Sequence, residues 1–135
     1  MAQPFPNHPN LRGGFAPLQM ECDVNDLVIE GEIPRELNGS FYRNGPNPQY
    51  APRGHYHWFG GDGMVHAFHI EDGRVAYRNR WVRTIKWQKE REAGRSLFSA
   101  FNPMDNDESV AGLETDGVAN TNIIWHGGKL LALEE

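Results

Sequence analysis

Six histidines are the side chains here best suited to hold a metal: His8, His55, His57, His66, His69 and His126. Neutral imidazole is a good ligand for iron and zinc. In a strand, side chains alternate with a period of two, so His55-x-His57 would present both rings on one face. His66 and His69 would fall on opposite faces. A site built from His55, His57 and His66 is therefore the arrangement to test. The spacing matches no compact ligand motif such as His-Glu-x-x-His, and the expectation for these histidines is surface or hydrogen-bonding roles. Asp105, Asp107 and Glu108 could grip a cation, although an acidic loop is usually solvated. Glu134 and Glu135, read from the residues alone, are a charged pair ending a strand. A single cysteine, Cys22, allows neither an intrachain disulfide nor a Cys-based zinc site.

These groups must be positioned by short strands and turns. Residues 1–17 (MAQPFPNHPNLRGGFAP) are rich in Pro, Asn and Gly and read as an irregular arm. Asp23 to Glu32, with Leu27, Val28 and Ile29, reads as a strand. Ile33 to Gly39 reads as one helical turn, with Pro34 at its first position, Leu37 facing the core and Gly39 ending it. Ser40 to Asn44 is a predicted strand that Gly-Pro-Asn-Pro stops. Gln49 to Tyr56 is a loop. Met64–Ile70 and Arg74–Val82 form a hairpin around Glu71-Asp72-Gly73, since Asp-Gly suits a type I′ turn. Ile85 to Gly94 is polar and helix-compatible. Phe98 to Asn120 is a long loop punctuated by Asn-Pro, Asp-Asn-Asp and Asp-Gly. Thr121–Trp125 and Lys129–Leu133 form a second hairpin around His126-Gly127-Gly128. Trp81, Trp87 and Trp125 are expected in packing roles.

The composition agrees with β architecture. The chain has 135 residues with 15 glycines, 9 prolines and 11% aromatics, which suits strands and turns. Net charge is -5, which argues against a nucleic-acid partner because phosphate binding needs a basic face. The basic residues from Arg74 to Arg95 are interleaved with acids and aromatics and read as a solvated face. No secretory leader and no membrane-span pattern is evident, so the cytoplasm is the expected compartment.

Three stretches resemble a known family when read in order. GEIPRELNGSFYRNGPNP (Gly31 to Pro48) and HWFGGDGMVHAF (His57 to Phe68) are similar to the N-terminal signature of the carotenoid cleavage oxygenases. These are non-haem iron enzymes that split carotenoids, apocarotenoids and stilbenes. GVANTNIIWHGGKLLALEE (Gly117 to Glu135) resembles the strand pair just before that family's first iron histidine. Taken alone, Asn-Gly-Pro-Asn-Pro is turn chemistry, and the glycines around Asp62 allow backbone conformations closed to other residues.

The resemblance implies an all-β fold, an incomplete β-propeller consisting of the arm and first blades of a seven-bladed family fold. Residues 18–135 would supply blade strands and loops, with the iron ligands downstream of Glu135. It implies structural roles for Arg43, Asn44, Gly45, Pro46, Trp58, Phe59, Asp62, Gly63 and Met64. Asp62 should bond nearby backbone N–H groups. Many family members carry Asp where this chain has Gly60. Glu135, with Glu134 as the neighbouring alternative, would hydrogen-bond a ligand histidine.

The implied reaction is cleavage of a C=C bond by O2 on Fe(2+), giving two carbonyls from a hydrophobic substrate. The run KEREAGRSLFSAFNPMDNDESVAG, joined to ANTN, is closer to the lignostilbene-cleaving branch. Family members that draw substrates from membranes use apolar patches, and none is evident in this sequence. The oligomeric state is not set. Two other readings stand beside this one: an inactive fragment or small β-rich binding module without metal, and a stand-alone histidine–metal protein.

Overall fold

Two runs of alternating side chains around Asp72-Gly73 make the centre of the fold. In the computed structural model, which describes residues 3–115 and 117–135, they form β3 (Gly63–Glu71) and β4 (Arg74–Trp81). Asp72 and Gly73 sit at φ 48° and 75°, the two positive values that a type I′ turn requires. β2 (Gly39–Pro46) pairs antiparallel with β3, and β1 (Asp23–Val24) with β4. The four-stranded sheet thus has the order β1-β4-β3-β2, with β2 on an edge.

Several elements depart from expectation for identifiable reasons. The predicted strand over Asp23–Glu32 shrinks to two residues, Asp23 and Val24, paired with Arg78 and Tyr77 of β4. Leu27 N–H still reaches Val75 C=O at 2.8 Å, but Val28 is 97% exposed. The turn after Ile33 forms, with Leu37 N–H bonded to Pro34 C=O, yet Leu37 faces outward rather than into the core. β2 continues past Asn44 to Pro46, opposite Gly63; a proline is tolerated at the end of an edge strand, where its missing N–H breaks no ladder. The arm contains two 3-10 turns, Pro9–Leu11 and Gly13–Phe15.

One helix, α1 (Ile85–Ala93), follows β4. The Thr84 hydroxyl accepts from Trp87 N–H at its start, and Gly94 closes it at φ 68°. The loop after it carries two further 3-10 turns, Pro103–Asp105 and Glu108–Val110. Asp116 of its Asp-Gly pair lies outside the described residues. A second hairpin joins β5 (Asn122–His126) and β6 (Lys129–Leu133). Its turn is the pair Gly127-Gly128, at φ 57° and 77°, so His126 belongs to the strand. Trp125 on β5 is 69% exposed, not packed.

The core is small and split. Met64, Trp81 and Trp87 pack together with Leu18, and Leu97, Phe98 and Val110 form a second cluster. Polar side chains bind the arm to the sheet. Asn79, fully buried, accepts from Cys22 N–H and donates to Met20 C=O. Asn47 exchanges two hydrogen bonds with the Leu18 backbone at 2.7 and 2.8 Å. Among the described residues, no helix is long and apolar enough to cross a membrane.

The acidic loop is closed by arginines. Asp107 lies 2.5 Å from Arg95 and 3.3 Å from Arg53, and it caps Ser109. The Arg95 bond, with help from Ser109, holds its carboxyl well below the usual carboxylate range. A lowered native pKa stabilises the fold above the unfolded value, and that contribution is lost as pH falls through the native one. Acid unfolding should therefore lose a contribution from Asp107 below its ordinary value of 3.8. Urea midpoints between pH 5 and 2 should converge for the native chain and Asp107→Asn; parallel curves would refute this.

Candidate functional site

The three motifs lie far apart in sequence and meet around one residue, Ala119. Asn44 on β2 donates from Nδ2 to Ala119 C=O at 2.8 Å and to Asn122 C=O at 3.1 Å. Gly63 N–H donates to Val118 C=O at 2.7 Å. Glu134 Oε2 accepts from Val118 N–H at 3.0 Å and from Ala119 N–H. Asn120 Nδ2 reaches back to Phe59 C=O at 2.7 Å and Gly61 C=O at 2.6 Å. Ala119 itself is held at φ 50°, a left-handed conformation that costs a non-glycine residue about 1–3 kcal/mol. Asn120→Ala would leave the Phe59 and Gly61 carbonyls without this donor. It should destabilise the chain by about 2 kcal/mol, read as a shift in urea midpoint; no shift would mean the bonds are replaced by water.

Beside this corner lies a cleft of about 690 Å³. Trp58, Phe59, Phe98 and Phe101 give it aromatic walls, and Arg43 and Glu135 also line it. Trp58 and Phe59 sit on the 3-10 turn Trp58–Gly60, with ring centroids 5.1 Å apart. Phe59 is 60% exposed, an aromatic face presented rather than buried. Glu134 is engaged by the backbone, whereas Glu135 makes no hydrogen bond or ion pair among the described residues.

The histidines do not assemble. His55 and His57 lie in a loop, not on a strand, so the alternation that would align them is absent. His57 Nδ1 accepts from Phe59 N–H at 3.3 Å, and its ring stands edge-on to Phe59 at 4.6 Å. His66 Nδ1 lies 2.7 Å from the Tyr77 hydroxyl; burial, and then Arg43, press its pKa below the usual imidazole value. His69 Nδ1 pairs with Ser40 at 3.0 Å. Among the described residues, no three of His, Cys, Asp and Glu gather as a ligand set. His55, His57 and His66 are not brought together as a group.

The stretch read as a solvated face contains two buried charges, Lys86 and Glu90. Lys86 Nζ lies 2.6 Å from Asp62 Oδ1 and 2.9 Å from Glu90 Oε2. Asp62 and Glu90 are each 1% exposed. Asp62 Oδ2 accepts from Gln49 N–H at 3.0 Å, thirteen residues away rather than within its own turn. Burial opposes the Lys86 charge, but Asp62 and Glu90 outweigh it and raise its pKa above the ordinary lysine value. The Lys86–Glu90 spacing was visible as an i,i+4 pair, a pattern usually found on exposed helix faces.

The architecture is an open antiparallel sheet with its motif loops gathered at one end over an aromatic cleft. The chain belongs to the retinal pigment epithelial membrane protein family, whose model matches residues 15–135. It is 48% identical over 136 residues to the isoeugenol monooxygenase of Pseudomonas nitroreducens, covering 100% of this chain and 28% of that protein. It is 46% identical over 133 residues to lignostilbene-alpha,beta-dioxygenase isozyme III of Sphingomonas paucimobilis, covering 97% of this chain and 27% of that protein. The crystal structure of the Pseudomonas brassicacearum lignostilbene dioxygenase superposes with a TM-score of 0.91 at 42% identity, over 99% of this chain and 28% of that one. The chain thus spans about a quarter of the length of the relatives it matches. The fold is all-β, with one α-helix among the described residues, and is an open part of a carotenoid-oxygenase propeller.

Proposed function

We propose that residues 1–135 act as the N-terminal part of a non-haem iron(II) dioxygenase that cleaves a C=C bond with O2. In this reading, residues 1–17 are its arm and residues 18–135 its blade strands and loops. The double bond and both atoms of O2 become two carbonyl groups. The substrate is a hydrophobic conjugated alkene of the stilbene, apocarotenoid or carotenoid type, and the lignostilbene and isoeugenol relatives favour an arylalkene. The observation that carries this reading is the aromatic-walled cleft with Glu135 on its lining.

The residues present do not make an iron site by themselves, since among those described no ligand set gathers. Histidines downstream of Glu135 would hold the ferrous ion, which would supply the O2 chemistry. Residues of this chain would do the rest. Trp58, Phe59, Phe98 and Phe101 would stack on the flat substrate and exclude water. Glu135 would accept a hydrogen bond from a ligand imidazole, fixing its tautomer and orientation. Glu134, which already receives two backbone N–H groups, is less suited to that role. Arg43, Asn44, Gly45, Pro46, Trp58, Phe59, Asp62, Gly63 and Met64 would form the framework. The net charge of -5 supports a small-molecule rather than a nucleic-acid partner. The cytoplasm is the proposed compartment.

The test is aldehyde formation from resveratrol, isoeugenol and an apocarotenal by the iron-loaded, full-length protein. Carbonyl products from at least one are expected; none from any would end the proposal. Glu135→Gln should lower iron affinity or turnover about 10–100-fold, read by iron content and rate, and Glu134→Gln much less.

A further inference from the structure

We propose that Lys86 is a positioning residue whose buried ammonium joins the two aromatic walls of the cleft and so sets the width open to a planar substrate. The substrate class rests on the oxygenase reading above. One wall is the turn carrying Trp58 and Phe59, which runs directly through Gly60 and Gly61 into Asp62. The other starts at Phe98 and runs through Ser99 and Ala100 to Phe101. Asp62 Oδ1 anchors the first wall to Lys86 at 2.6 Å. Glu90 anchors the second. Its Oε2 lies 2.9 Å from Lys86 Nζ, while its Oε1 accepts from Leu97 N–H at 2.9 Å and Phe98 N–H at 3.1 Å.

The two walls also touch. A Cβ placed on Gly60 would stand 2.2 Å from the Ala100 Cβ, so a shift in one wall is passed to the other. Lys86 itself lines the cleft. Two carboxylates share one ammonium, and the excess negative charge is met by N–H groups from Gln49, Leu97 and Phe98 and by the Ser96 hydroxyl. A buried polar network with its members satisfied is rigid. Walls held at a fixed separation decide how well a flat substrate fits on binding, and that is where such rigidity reaches KM.

The test uses the full-length, iron-loaded protein with two probes: resveratrol, which is flat, and an ortho,ortho′-disubstituted stilbene, whose rings are twisted out of plane. Glu90→Gln keeps an acceptor for Leu97 and Phe98 but removes the charge that faces Lys86. It should raise KM for resveratrol about tenfold with little change in kcat, and narrow the preference for the flat substrate by a similar factor. Lys86→Arg, which keeps a cation between the carboxylates, should retain most of that preference. Loss of stability with the preference unchanged in Glu90→Gln would overturn the proposal, as would equal loss in both variants.

Amide exchange in the native protein provides an arm that needs no variant. Leu97 and Phe98 N–H should be protected well above Phe101, and equal exchange would also overturn the proposal. If the native protein cleaves neither probe, the stilbene fails as its substrate, while the exchange arm still judges whether Glu90 holds the wall.

Discussion

Gly63→Ala is expected to unfold the chain rather than trim its activity. A Cβ at Gly63 would lie 2.2 Å from Ala119 O, 2.8 Å from Ala119 C and 2.8 Å from Val118 O. All three are backbone atoms, so no side chain can swing away. The facing segment is also tied down. Asn44 holds Ala119 C=O, Glu134 holds two N–H groups, and Gly63 N–H itself bonds Val118 C=O. Relief would require breaking several of these bonds at about 1 kcal/mol each, in addition to an overpacking cost of about 1–3 kcal/mol. A loss of about 4 kcal/mol is a large share of the stability of a single domain. Gly45→Ala is the control, because nothing lies within 4 Å of its Cβ position; it should change stability by less than about 0.5 kcal/mol. Thermal melting of both variants decides the matter. Equal midpoints would show that the Ala119 corner yields at little cost.

Lys86→Met should be nearly as damaging, for an electrostatic reason. It leaves Asp62 and Glu90, each 1% exposed, without their cation. Removing one partner of a buried ion pair typically costs about 3–5 kcal/mol, because an uncompensated charge stays buried. Neutralising the whole cluster with Lys86→Met, Asp62→Asn and Glu90→Gln should recover much of the loss, since the amide oxygens can still accept from Gln49, Leu97 and Phe98. Denaturant titration of the single and triple variants gives the comparison; a triple variant no better than the single one would refute it. The pH dependence has a definite sign. The native pKa of Lys86 is raised, so its contribution is complete below the ordinary lysine value of 10.5 and is lost as pH climbs through the native value. Alkaline unfolding above that point should be steeper in the native chain than in the triple variant.

How legible these features were in the sequence depends on how local their causes are. The β3–β4 hairpin was readable because Asp72-Gly73 determines its own turn. The stop of α1 was readable because Gly94 can take a positive φ. The β5–β6 hairpin was readable for the same reason at Gly127 and Gly128. The strand through Leu27–Ile29 was misread because its length depends on pairing with β4, about fifty residues later, which the segment itself does not encode. The cleft was hidden more deeply. Asp62, Lys86 and Glu90 look like ordinary polar residues until the 96–101 loop folds over them. Nothing about an alanine announces the left-handed backbone of Ala119; the strain is imposed by Asn44, Gly63 and Glu134. The three motifs could be recognised as strings, but their meeting point could not be read from any one of them.

That meeting point also bears on the order in which the chain assembles. The bonds that close it join residues 75 and 78 apart at Asn44, 59 and 61 apart at Asn120, and 15 and 16 apart at Glu134. Loop-closure entropy makes such contacts late events, formed after local hairpins have nucleated. Contacts absent from the folding transition state leave the folding rate almost untouched and act on the unfolding rate. The Ala119 corner should therefore act as a kinetic latch: Asn120→Ala is expected to leave the folding rate almost unchanged and to speed unfolding, as stopped-flow rates would read.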